Sequence, residues 1–237
     1  MKVLTAHIGD KDPLLEPLEV SDAAEYICYT NRPELKSTVW EVKQLRDPGW
    51  RSTRWPARQR KILAPIHYPH DDVLWVDGTF QLKKKPEDIV YPYLEDYDVL
   101  AMAHPHRDSI HEEAEVLHGR HGWDKALLDR QLQVFGRVMK IFQDHLTTTG
   151  LMAFRGGSFC VREFAKKWWE LLQEGGHPRD QMSVDFALWL SDVKQGLLYG
   201  HYRNNPYAKF WAHGGKETKK MRISLCEKKG RKFVNHA

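Results

Sequence analysis

A chain of 237 residues that is 41% hydrophobic, with nine Trp and nine Tyr, carries enough apolar surface for one large domain or a domain with appendages. It has no apolar run of about 20 residues, which excludes a transmembrane span, and its N-terminus turns polar too soon for a signal peptide. The net charge of +4 is unevenly placed, with eight Lys/Arg against two Glu in residues 216–237 and 28 basic against 30 acidic residues elsewhere. Three widely spaced cysteines, Cys28, Cys160 and Cys226, argue against a disulfide framework or a cysteine zinc site. They point to a reducing, cytoplasmic setting, the host cytoplasm if the chain is viral. The expected organisation is one domain over 1–215 and a basic tail over 216–237. Such a tail either contacts an anionic partner or is a solvated end.

The first predicted strand runs from Val3 to Ile8 and stops at the turn of Gly9, Asp10, Lys11, Asp12 and Pro13. Its end, with Thr5 and Ala6, is a candidate place for a nucleotide base or ribose. Tyr26 to Thr30 reads as a second strand and Thr38 to Val42 as a third. With little helix between them, the three suggest a mixed N-terminal half-sheet. Residues 43–56, with Pro48, Gly49 and Pro56, read as a loop. A helix over 57–64 ends before Pro65 and sets Arg58 and Lys61 on one face, where two cations suit a diphosphate.

Val73, Leu74, Trp75 and Val76 form an apolar run that ends in Asp77 and Gly78. Such a run reads as a buried parallel strand delivering a carboxylate to the C-terminal edge of the sheet, where ligands of open α/β sheets bind. A carboxylate followed by a glycine that lets a ligand approach the backbone suits a metal and a diphosphate. A plain strand with an Asp-Gly turn has the same pattern.

Thr79 to Leu82 reads as a short edge strand, and Lys83, Lys84 and Lys85 as a solvated run. Pro86 opens a helix through Leu94. Asp98 to Ala103 is a strand that delivers His104, Pro105, His106, Arg107 and Asp108. Ser109 and Glu112 form a capping-box pattern at the start of the next helix. Leu127, Leu128, Leu132, Phe135, Val138 and Met139 predict one helix over 123–142. Gly150 to Arg155 reads as a strand, and 161–173 as an amphipathic helix with Trp168 and Trp169. Arg179, Asp180 and Gln181 open a helix through Leu190, and Leu197 to Tyr199 is a last strand. The alternation of strands and helices from residue 57 onward makes the chain α/β.

Polar clusters fall at three element ends: Asp77-Gly78, His104 to Asp108, and Arg179 to Gln181. His213-Gly214-Gly215-Lys216 is a fourth. Acids, a histidine and cations together suit a divalent ion holding a diphosphate, with the metal and the cations neutralising the leaving phosphates. The chain has no phosphate-binding P-loop, no Gly-x-Gly-x-x-Gly and no Gly-x-Ser-x-Gly, which argues against a P-loop enzyme, a dinucleotide fold and a serine hydrolase. Two alternatives stand beside the transferase reading. His104, His106, Asp108 and His111 are similar to the metal motif of metallo-β-lactamase-like hydrolases, with the last histidine two residues late. The basic tail suits a non-catalytic nucleic-acid-binding protein.

Taken in order, several motifs carry a resemblance. They are Arg58 with Lys61-Ile62-Leu63-Ala64-Pro65, Leu74-Trp75-Val76-Asp77-Gly78, Gln81-Leu82, Pro86, His104-Pro105-His106-Arg107-Asp108, Glu112-Glu113-Ala114 and Arg179-Asp180-Gln181-Met182-Ser183. Together they resemble the glycosyltransferase-like family of plant mucilage and turgor-regulation proteins, which has bacterial and phage relatives. Thr5-Ala6-His7-Ile8-Gly9-Asp10 and Tyr26-Ile27-Cys28-Tyr29-Thr30-Asn31 are similar to that family's first strands, so the resemblance covers roughly residues 3–190. The family is similar to GT-A nucleotide-sugar transferases.

The resemblance implies a GT-A-like, Rossmann-type α/β/α sandwich with a mixed central sheet. It implies a nucleotide-sugar donor, UDP-linked, and Mn²⁺ or Mg²⁺. Asp77 would bind the metal and donor, and Asp180 with Gln181 would sit beside the transferred sugar. Arg107, Asp108 and Glu112 would line the sugar or acceptor pocket, and Arg58, Lys61 and Lys216 would steady the diphosphate. The usual Asp-x-Asp is here a lone Asp77 followed by Gly78 and Thr79, so a second metal ligand has to come from elsewhere, and His213 is the expected one. The acceptor would be a hydroxyl on a glycan, a protein or modified nucleic acid.

Overall fold

The computed structural model describes residues 1–9, 12–45, 54–120, 124–142, 144–173 and 179–212. Four strands, β1 (Lys2–His7), β2 (Glu25–Thr30), β3 (Glu41–Gln44) and β4 (Val73–Val76), pair in parallel in the order β3-β2-β1-β4. The mixed N-terminal half-sheet expected from the short spacing is therefore a correction: all of its pairings are parallel. A fifth strand, β5 (Phe80–Leu82), leaves this sheet and pairs elsewhere. The sheet continues with β7 (Thr147–Phe154), β6 (Val99–Ala103) and β8 (Gln195–Leu197). β7 runs antiparallel to both of its neighbours, and β6 pairs with β8 in parallel. The mixed character of the seven-stranded sheet enters at this strand. The expected α/β/α sandwich with a mixed central sheet is the architecture that the chain forms.

Val73, Leu74, Trp75 and Val76 are each at most 1% exposed, as expected of a strand covered on both faces. Alternation divides them between two cores. Leu74 and Val76 join Val3, Cys28, Leu100 and Ala153 under α3 (Pro86–Leu94) and the small antiparallel pair of β5 with β9 (Ala208–Phe210). Val73 and Trp75 join Leu4, Ile27 and Met152 under α1 (Arg54–Ile62), α2 (Ala64–His67), α7 (Phe159–Gln173) and α8 (Val184–Trp189). A third apolar cluster, with Ile110, Leu117, Leu128, Phe135 and Met139, packs α4 (Ile110–His118) against the segment that follows it.

Most differences from the sequence reading have local causes. The single helix expected over 123–142 is α5 (Lys125–Gln131), a π-helical turn (Leu132–Gly136) and α6 (Arg137–Phe142), while residue 123 lies outside the described residues. The turn widens where His111 Nε2 lies 2.9 Å from the Gly136 carbonyl oxygen. β7 begins at Thr147, three residues before the predicted start, because a run of three β-branched threonines extends it. β9 went unpredicted: three residues with one buried side chain carry no periodic signal. Among the described residues no helix is long and apolar enough to cross a membrane.

Candidate functional site

From β1 the chain builds outward to β2 and β3, then returns to place β4 on the other side of β1. Ligands of open α/β sheets bind outside the C-terminal strand ends at such a switch point. Asp77, the first residue after β4, stands there. Its N–H donates to the Gly150 carbonyl of β7 at 2.8 Å. A Cβ on Gly78 would lie 3.4 Å from the Ala6 carbonyl oxygen, so the end of β1 backs this turn. A Cβ on Gly150 would lie 2.6 Å from the Phe80 ring, so β7 passes this closely only as glycine. Asp12, Pro13, Leu15, Gly78, Thr79 and Trp211 line a narrow gap after Asp77 that has no room for a water molecule.

The Asp77 carboxylate is 39% exposed and its two oxygens differ. Oδ1 accepts the Trp75 indole N–H at 2.6 Å and lies 3.6 Å from the Lys61 ammonium. Oδ2 accepts no hydrogen bond among the described residues. Behind it lies a buried ionic group. Lys61, 3% exposed, donates to Thr149 O at 3.1 Å and to Thr149 Oγ1 at 3.2 Å, and forms an ion pair with Asp180 Oδ2. Thr149 Oγ1 donates to the same Oδ2 at 3.1 Å, and Arg58 Nε lies 3.6 Å from Asp180 Oδ1. The Trp168 indole N–H donates to the Asp180 carbonyl at 3.2 Å, tying this group to the core. Burial alone would push the Asp180 carboxyl up, but the charges of Lys61 and then Arg58 outweigh it and hold the group well below the usual carboxylate range.

A second ionic group centres on Glu113, which is 1% exposed. Arg107 Nε lies 2.6 Å from one of its oxygens, and Arg179 Nε donates to the other at 3.0 Å. Arg179 also donates to Gln181 Oε1 at 2.8 Å, and Arg107 Nη2 lies 2.7 Å from His104 Nε2. The His106 N–H faces His104 Nδ1 at 3.2 Å. Burial first, and then the charge of Arg107, push His104 down to about 4, so the ring is neutral.

The histidine set of the hydrolase alternative does not converge: His104 is engaged by Arg107 and His111 by Gly136. Among the described residues no three His, Cys, Asp or Glu side chains gather to hold a metal. Asp77 nonetheless fits a hard divalent ion, because Mg²⁺ is commonly held by one or two carboxylates plus substrate phosphates and waters. His213, Lys216 and the basic tail lie outside the described residues.

The sequence matches the TOD1/MUCI70 glycosyltransferase-like domain over residues 19–189, more than two thirds of the chain. The chain belongs to that family. No curated protein matches it. Among solved structures, the WbbM bifunctional glycosyltransferase aligns with a TM-score of 0.48 and 11% identity, over 78% of this chain and 37% of that one. The chain thus spans little more than a third of that protein's length. The galactosyltransferase LgtC, solved with donor and acceptor sugar analogs, aligns with a TM-score of 0.45 and 8% identity, over 100% of this chain and 98% of that one.

In this TOD1/MUCI70-type domain, four of the predicted site residues, Arg58, Lys61, Asp77 and Asp180, come together around Thr149. Gln181 joins the Glu113 group instead, through Arg179. Both Asp180 and Gln181 are buried. Thr5 is buried within β1 opposite Cys28, while the Ala6 carbonyl backs Gly78. Asp108 and Glu112 are exposed and cap α4: Ser109 Oγ accepts the Glu112 N–H at 3.3 Å, and Glu112 Oε2 accepts the Asp108 N–H at 2.7 Å. The sequence reading missed the contacts of Trp75, Thr149 and Glu113. Glu113 had a signal, since it falls on the apolar stripe of Ile110, Ala114 and Leu117, where a carboxylate demands a partner.

Proposed function

We propose that the chain is a metal-dependent glycosyltransferase of GT-A type. It moves a hexose or pentose from a nucleotide-sugar donor, UDP-linked, to a hydroxyl on a glycan, a protein or modified nucleic acid. The catalytic domain covers 1–215. The observation that carries this reading is Asp77: a half-exposed carboxylate with one oxygen pinned and the other open, at the switch point of the sheet, in a chain of a glycosyltransferase-like family.

Asp77 Oδ2 and the donor diphosphate would hold Mn²⁺ or Mg²⁺, which supplies charge neutralisation to the leaving nucleotide. The Trp75 indole keeps the carboxylate from rotating away. Lys61 and Arg58 act from behind the site by charge rather than by contact, since both are largely buried and engaged by Asp180. The end of β1, where the Ala6 carbonyl backs Gly78, is the expected side for the nucleoside.

The test is a screen of nucleotides and nucleotide sugars with Mn²⁺, read as thermal stabilisation and as donor hydrolysis, with Asp77→Ala as control. UDP with Mn²⁺ is expected to stabilise the wild type and not the variant. No response to any nucleotide overturns the reading.

A further inference from the structure

We infer that Asp180 is a positioning residue: it holds the Lys61 ammonium away from Asp77 and so keeps Asp77 open to a divalent cation carrying a nucleoside diphosphate. This deepens the reading above and rests on it for the identity of the ligand.

An ammonium has three N–H donors. Those of Lys61 have three acceptors close by: Thr149 O at 3.1 Å, Thr149 Oγ1 at 3.2 Å, and Asp180 Oδ2. None is left for Asp77, whose Oδ1 stands 3.6 Å away and takes the Trp75 indole N–H at 2.6 Å. Lys61 is 3% exposed, so water does not compete for it; the two carboxylates do. Asp180 holds it because it is buried and ionised and because Thr149 Oγ1 donates to the same oxygen at 3.1 Å. The next residue of that strand, Gly150, accepts the Asp77 N–H at 2.8 Å. One strand end therefore fixes both the lysine and the backbone of the carboxylate it is kept from.

Without the Asp180 charge, a buried ammonium would have one anion within reach. A charge-assisted hydrogen bond to Asp77 would then satisfy it. Arg58, with its Nε 3.6 Å from Asp180 Oδ1, would lose its counter-charge in the same step. Both cations would oppose a divalent ion at Asp77. With Asp180 present, the charges of Asp77, Lys61, Asp180 and Arg58 balance, and Asp77 Oδ2 stays open.

The Trp75 indole N–H reports on Asp77 directly. Its ¹H–¹⁵N cross-peak, assigned by its loss in Trp75→Phe, is followed in the wild type, Asp180→Asn and Asp180→Asn/Lys61→Met, first alone and then with Mn²⁺ added in the presence of UDP. Asp180→Asn is expected to move the cross-peak before any ligand is added. It is also expected to raise the Mn²⁺ concentration needed to broaden the peak on the order of tenfold. The double variant, which lacks both charges, is expected to return close to the wild-type concentration. Where Asp180→Asn does not fold, Thr149→Val makes the same comparison, since it removes one of the three acceptors and is expected to shift the peak in the same direction. An unmoved cross-peak, or a double variant no better than Asp180→Asn, overturns the inference. Absence of broadening in the wild type overturns the metal reading of Asp77 instead, and the ligand-free shift still decides where Lys61 goes.

Discussion

A single atom separates the two readings of Asp77. As a turn residue it would need no special surroundings. Here Oδ1 is pinned by an indole and Oδ2 is left open, which is how a ligand-binding carboxylate is prepared. Gly150 makes room for this arrangement. Gly150→Ala would push a Cβ to 2.6 Å from the Phe80 ring, and Phe80 is itself packed on Phe210 with ring centroids 5.5 Å apart. It is expected to cost about 1–3 kcal/mol in urea unfolding. A Phe80→Leu partner substitution is expected to recover part of that loss. His104 gives the molecule a pH dependence. The unfolded chain binds a proton at His104 near its ordinary value of 6.5, the folded chain only near about 4. Between those values the unfolded state holds more protons, so stability contributed by neutral His104 is present above about 6.5 and is lost as pH falls toward about 4. Urea midpoints across this window are expected to decline in the wild type and to decline less in His104→Gln.

At the scale of elements, ion pairs join segments that no local pattern connects. Glu113 sits on the inward face of α4 and ties it to the loop before β6's follow-on helix through Arg107, and to the 3₁₀ turn Asp180–Met182 through Arg179. Glu113→Gln leaves two guanidinium groups without their buried counter-charge. It is expected to destabilise the protein by about 3–5 kcal/mol, measured by denaturant unfolding. A cost within error of zero would show that the two arginines find other partners. The capping of α4 was legible in the sequence, because Ser109 and Glu112 are three residues apart and a cap is a local device. The pairing of Glu113 with Arg179 was not, because Arg179 meets it only when the 3₁₀ turn Asp180–Met182 is packed against α4.

For the whole molecule, ligand binding and folding are linked. A donor that binds the folded chain alone stabilises it by about 2.7 kcal/mol at a hundred times its Kd, which for a chain of this size raises Tm by roughly 5–10 °C. A UDP-sugar with Mn²⁺ is expected to give a shift of that order in a thermal scan, and a flat response at saturating concentrations would argue against the donor reading.

The amino-acid sequence alone determined the buried strand Val73–Val76, the carboxylate at its end, the α/β alternation and the family. Each of these rests on apolar periodicity or on short motifs, which are properties of neighbouring residues. Only the tertiary structure decided that β7 runs against its neighbours, because strand direction is settled by how the connections close, not by side-chain pattern. It also decided the roles of Lys61 and Asp180. In the sequence Lys61 reads as a cation for the donor diphosphate and Asp180 as an acid beside the transferred sugar. Folding removes both from water, and a buried charge is tolerated only beside its opposite, so the two side chains became partners behind Asp77.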